Sequence, residues 1–105
     1  MGIETLQLAH VGNYLDTPQL GEKTQSQIAS FWESRDIIVC DFENVYGMTR
    51  RFADSAFGDM FIEKGSAAFT EKVRFFNLNE LVEVILKCTL YVRYESMKGG
   101  RDLWV

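Results

Sequence analysis

Residues 36–61, DIIVCDFENVYGMTRRFADSAFGDMF, restrict the fold more than any other part of the chain. IIVCDF is an apolar run rich in β-branched residues, the composition of a strand covered on both faces by helices. The chain then turns through Glu43-Asn44-Val45-Tyr46-Gly47. From Thr49 onward Phe52, Ala53, Ala56, Phe57, Met60 and Phe61 fall on one stripe at i, i+4, i+8 spacing, the pattern of a helix with one buried face. A buried strand that feeds an amphipathic helix is the repeating unit of α/β folds.

The flanking segments extend that unit. Residues 5–11, TLQLAHV, alternate apolar and polar and predict a half-buried strand. A turn at Gly12-Asn13 follows, and Tyr14-Leu15 adds a short second strand. Thr17-Pro18 pairs a capping hydroxyl with proline at the first helical position. Leu20, Thr24, Ile28 and Phe31 recur at helical spacing, which predicts a helix over 18–33; Gly21 costs its first turn about 1 kcal/mol relative to alanine. Gly65 is a helix stop, Ser66 a cap for the short helix SAAFTEK, and VRFFN a central strand. Asn77 and Asn79 bracket the start of a last helix from Glu80 to Arg93, with Leu81, Val82, Val84, Ile85, Cys88 and Val92 as its apolar side and Gly99-Gly100 as its end.

This order predicts an α/β domain over residues 1–98, a mixed four- to five-stranded sheet packed with three to four helices, followed by a tail over 99–105. Its Leu103-Trp104-Val105 end is too short to fold alone.

With 105 residues there is room for one domain, and 47% apolar content can fill its core. A formal net charge of −4 leaves no phosphate-neutralising surface, so nucleic acid is not expected as a partner. No run reaches the roughly 18 apolar residues of a membrane span, and MGIETLQLAH has neither a secretory pattern nor a hydroxyl residue at the myristoylation position, so the expected address is the cytoplasm. Cys40 and Cys88 both fall in apolar patterns and read as inert buried thiols. His10 has no neighbouring ligand set and reads as polar packing at a strand end. No metal spacing, Gly-rich phosphate loop or nucleophile–histidine arrangement is present, so neither a cofactor nor catalysis is expected.

Asp41-Phe42-Glu43-Asn44-Val45, Thr49, Phe52-Ala53-Asp54, Phe57-Gly58 and Phe75-Phe76-Asn77 together resemble the STAS superfamily, and within it the STAS-like domains of unknown function. The superfamily includes the bacterial anti-sigma-factor antagonists. In those proteins a hydroxyl at the start of the switch helix is phosphorylated by a partner kinase, a position where a helix N-terminus suits phosphate. The resemblance places that acceptor on Arg50, which cannot take phosphate by that chemistry, and leaves Thr49 and Ser55 as candidate phosphoacceptors. It implies a non-catalytic regulatory module that binds a protein partner, an ATPase-type regulator resembling the histidine kinases, through Tyr46, Gly47, Met48, Thr49, Arg50 and Arg51. Loss of the acceptor suits a constitutive binder or inhibitor. The alternatives are a carrier of a nucleotide or lipid, as in other STAS-fold proteins, and a host-directed inhibitor encoded by a mobile element.

Arg50 and Arg51 admit two readings. In one they are solvated, with Arg50 pairing Asp54 one turn on for about 0.3–0.5 kcal/mol. In the other the two guanidiniums form a fork that accepts a partner's carboxylates or a phosphate. Trp32 beside Phe31, and Leu90, Tyr91 and Tyr94 on the far side of the last helix, leave apolar surface for a homodimer.

Overall fold

The computed structural model describes residues 2–102, with side chains through residue 96; the Leu103-Trp104-Val105 end lies outside the described residues. In chain order the elements are β1 (Ile3–Gln7), a 3-10 turn (Leu8–His10), β2 (Tyr14–Leu15), α1 (Pro18–Phe31), β3 (Ile37–Asp41) and β4 (Gly47–Met48). There follow α2 (Arg50–Ala53), a π turn (Asp54–Gly58), α3 (Asp59–Lys64), α4 (Ser66–Lys72), β5 (Val73–Phe76) and α5 (Glu80–Asp102). α2, the π turn and α3 run as one helical rod.

The strands form two sheets, and every described pairing is parallel. The larger has the order β1-β3-β5, and the smaller joins β2 to β4. The expected mixed four- to five-stranded sheet is therefore split. β3, not the VRFFN strand, is central, because β1 pairs it from Ile3↔Ile37 to Gln7↔Asp41 and β5 from Ile38↔Val73 to Asp41↔Phe76.

The helices gather on one side of this sheet. Ile38, Cys40 and Val73 are buried there, and Phe75 meets Phe57 edge-on with ring centroids 5.2 Å apart. Ile37 and Val39, which point to the other side, are half-buried. Among the described residues, the two-sided cover expected for IIVCDF is thus present on one side only.

Capping sets the helix starts. Thr17 Oγ1 accepts from the Leu20 N–H at 3.2 Å, Thr49 Oγ1 from Phe52 N–H at 3.3 Å, and Asn79 Oδ1 from Val82 N–H at 2.8 Å. Each satisfies an orphan donor of a first turn, for about 1 kcal/mol. Gly65 ends α3 at φ 92°, a conformation open to glycine, and it also stands at the cap of α4, so Ser66 is the first helical residue rather than the cap.

The stripe on the rod is buried throughout: Phe52, Ala53, Ala56, Phe57, Met60 and Phe61. Pairs repeating every four residues would drift about 40° per step around an ideal α-helix of 3.6 residues per turn. The wider π turn advances less per residue and returns the later pairs to the core side. Phe52 and Phe57, each fully buried, contribute about 1.5–3 kcal/mol apiece.

Other boundaries move. The alternation of residues 5–11 ends as a strand at Gln7, because Leu8 reaches the core from a 3-10 turn; His10 sits exposed at the end of that turn. The helix expected over 18–33 ends at Phe31. α5 continues through Gly99-Gly100 to Asp102. Its core side is Val82, Leu86 and Thr89, so Leu81, Val84, Val92 and Cys88, all expected inside, are exposed.

Candidate functional site

The turn between β3 and α2 is held outward by bonds from three directions. From the β2 side, Asn13 O accepts from Tyr46 N–H at 2.8 Å and Leu15 O from Thr49 N–H at 3.0 Å. Asn13 Nδ2 donates to Asn44 O at 2.7 Å, which steadies Asn44 at φ 67°. From α5, Asn79 Nδ2 donates to Val45 O at 3.1 Å and Tyr46 O at 3.3 Å while its Oδ1 caps the helix. At the base, Asp41 Oδ1 accepts from Glu43 N–H at 3.0 Å and from Asn77 Nδ2 at 2.9 Å. These bonds, that of Asn77 first and that of Glu43 N–H second, hold the Asp41 carboxyl below the usual carboxylate range.

On this frame the six residues of the expected contact surface separate. Tyr46 is 54% exposed and its ring lies 5.9 Å from that of Tyr14, which is 66% exposed. The Tyr14 ring also covers Gly47, where a methyl group would stand 3.2 Å from its Cδ1. Met48 is buried in the core, so it offers no contact to a partner. The Thr49 hydroxyl is committed to its cap.

The two arginines diverge. Arg51 is exposed and has no hydrogen bond or ion pair among the described residues. Arg50 is half-buried and lies along α5, with Nη1 3.8 Å from Cys88 Sγ and Nε buried without a partner. The expected Arg50–Asp54 pair is absent because Asp54 faces Arg93, at 3.4 Å from its Nε. Arg93 Nη2 also reaches Asp59 Oδ1 at 2.7 Å. No two-guanidinium fork is formed, and Arg51 is the cation available to a visitor.

Ser55, the second candidate phosphoacceptor, is half-buried where α1 crosses the π turn. A methyl group on Gly21 would come within 2.6 Å of Ser55 Cβ and 2.7 Å of Phe52 O. A phosphate on Ser55 would have to enter beside that crossing.

The residue that local reasoning missed is Tyr14. Its local sequence marks it only as part of a short strand, and its pairing with Tyr46 depends on the β2–β4 register, Tyr14↔Gly47. Among the described residues no group of three or more His, Cys, Asp or Glu is placed to hold a metal ion, and no helix is long and apolar enough to cross a membrane. Burial pushes the Cys40 thiol up to about 12, so its thiolate is not accessible.

No curated protein and no solved structure gives a match to this chain. The family described as a STAS-like domain of unknown function (DUF4325) matches residues 25–83, from the middle of α1 into the first turn of α5. That span is more than half of the chain and includes β3, the braced turn and the helical rod. The chain therefore belongs to the family of STAS-like domains of unknown function.

Proposed function

We propose that the protein is a non-catalytic binding module that engages a protein partner through Tyr14, Tyr46 and Arg51. One observation carries this reading: two tyrosine rings stand exposed side by side on a turn tied down by both neighbouring elements. Exposed tyrosines on a pre-ordered backbone give large contact area with little ordering cost, and aromatic residues and arginine dominate binding hot spots. An arginine beside them adds a carboxylate-reading group.

The position that carries a phosphoacceptor in antagonist relatives falls on Arg50, whose side chain rests against Cys88. A binder lacking that hydroxyl is constitutive: it has no off-state set by phosphate at this position. An ATPase-type regulator resembling the histidine kinases remains the expected partner class by family resemblance.

Affinity capture from lysate with the immobilised protein tests the reading. Proteins retained by the wild type are expected to be lost with the Tyr46→Ala/Arg51→Ala variant and kept with a control substitution at exposed Glu63. An identical set of retained proteins for all three baits would overturn it.

A second reading has one observation in its favour. A cleft of about 320 Å³ between β5 and α5 is lined by Val73, Phe75, Leu78, Leu86 and Leu90 and rimmed by Arg74, Glu83 and Lys87. Its apolar walls suit an acyl chain, and a rise in melting temperature with fatty acid would favour a carrier over a protein-binding module.

A further inference from the structure

β1 stands at one edge of the larger sheet, whose order is β1-β3-β5. Gly2 O accepts from Ile37 N–H at 3.3 Å, which fixes the alternation along the strand: Gly2, Glu4 and Leu6 turn their main-chain groups to β3. Ile3 and Thr5 therefore turn N–H and C=O to the outer edge, and Gln7 turns its N–H there. No described residue pairs with these groups.

Native sheets blunt such an edge with lysine, proline or a bulge. IETLQ has neither lysine nor proline, and its register with β3 runs unbroken from Ile3↔Ile37 to Gln7↔Asp41. The opposite edge is shorter: Val73 N–H is taken by Phe69 O, and Asn77 leaves the strand at φ 58°.

A cleft of about 490 Å³ runs between the β1 edge and α1. Leu6 and Phe31 are its half-buried apolar walls, with Gln27 and Ser30 beside them. Its one carboxylate is Glu4, which accepts from Arg35 Nε at 3.2 Å.

We propose that β1 is a docking edge for an extended peptide segment of a partner protein, added antiparallel as a fourth strand, with uncharged apolar side chains at alternate positions entering the cleft. Open main-chain donors and acceptors call for another strand, and antiparallel pairing is the more stable per residue. Charge selects the side chains. Glu4 is already paired with Arg35, so a further charge in the cleft would lie against Leu6 and Phe31 without a partner. The formal net charge of −4 favours basic residues flanking the bound strand.

A second copy fits worse. Paired two-fold through β1, it would carry its own Glu4 into the cleft. Two five-residue strands meet over about 17 by 10 Å, far below the roughly 800 Å² per partner of a specific interface. A transient peptide contact does not need that area, because main-chain bonds give affinity and the cleft gives specificity. Tyr14, Tyr46 and Arg51 take no part in this contact, and variants at those positions should leave it unchanged.

The test titrates a capped probe peptide, Lys-Thr-Val-Thr-Val-Thr-Lys, into the full chain. At saturation the Thr5 and Gln7 amides should exchange with solvent about tenfold more slowly or less. N-methylation of the probe's threonines, whose N–H groups face β1, should abolish binding; N-methylation of its valines, whose N–H groups face away, should not. Thr5→Pro removes an edge N–H but no bond to β3, so it should weaken binding by about tenfold or more, whereas Thr5→Val should not. Should Thr5→Pro unfold, the methylated probes still decide. No binding at millimolar probe, unchanged exchange at Thr5 and Gln7, or the same effect from both methylation patterns would each overturn the proposal. So would β1 amides already protected in a concentration-dependent dimer.

Discussion

Arg93 lays its guanidinium over Gly58: a methyl group added at that glycine would stand 3.2 Å from Arg93 Cζ and 3.2 Å from Asp54 Oδ1. The Phe57-Gly58 step of the rod thus admits a cation from α5 between Asp54 and Asp59. On another side of the same π turn, Gly21 admits α1 against the Phe52 carbonyl and Ser55. A widened helical turn is pinned by close approach from two neighbours.

Gly21→Ala is expected to destabilise the fold, although alanine favours a helix interior by about 1 kcal/mol. The added carbon would lie 2.7 Å from a backbone oxygen that cannot turn away. Overpacking of this kind costs about 1–3 kcal/mol. We expect a fall in melting temperature of several degrees, at about 4–8 °C per kcal/mol for a domain near this size. Gly58→Ala, which presses only on the side-chain ends of Arg93 and Asp54 and on no backbone atom, should cost less, and a thermal melt of both variants checks the order.

Arg93→Ala should cost about 1–2 kcal/mol in a urea titration, because it removes a charge-assisted bond and leaves the half-buried Asp54 carboxylate without its cation. Both pairs are partly exposed, so salt should reduce the difference between wild type and variant.

Asp41 predicts a pH dependence. Its folded pKa lies below the unfolded value, so its contribution is present above about pH 4 and is lost as pH falls through the folded value. Stability of the wild type should therefore rise with pH across the acidic range. Asn77→Ala removes the leading cause of the depression and should flatten that rise, as should Asp41→Asn. Urea midpoints measured on an acidic pH series decide the matter; parallel curves for wild type and Asn77→Ala would refute the assignment.

The two thiols should separate in a reaction with Ellman's reagent. Cys88 is exposed and should react in the native state, whereas Cys40 is buried with a raised pKa and should react only on unfolding. One fast and one slow equivalent is the expected result.

Thr17-Pro18, Thr49 and Gly65 mark helix ends by chemistry that acts within a few residues, and each end lies where the residue types place it. IIVCDF and the rod stripe were equally legible. Gly21 was not, because the helix penalty is local whereas the crossing with Phe52 and Ser55 is a contact between distant segments. Cys88 is exposed rather than buried because α5 is apolar on two sides, and composition alone does not say which side faces the core. The candidate site was legible at Tyr46 and Arg51 but not at Tyr14, nor in the divergence of Arg50 from Arg51, which follows from the packing of α5 beside α2.

The central claim is that the braced turn presents Tyr46 and Arg51 to a protein partner while the scaffold behind it folds independently of them. Its most direct test is calorimetric titration of a captured partner against the wild type and Tyr46→Ala/Arg51→Ala. We expect the dissociation constant to rise by about thirtyfold or more, as loss of a hot-spot pair implies, with the melting temperature essentially unchanged. Equal dissociation constants for the two proteins would contradict the account.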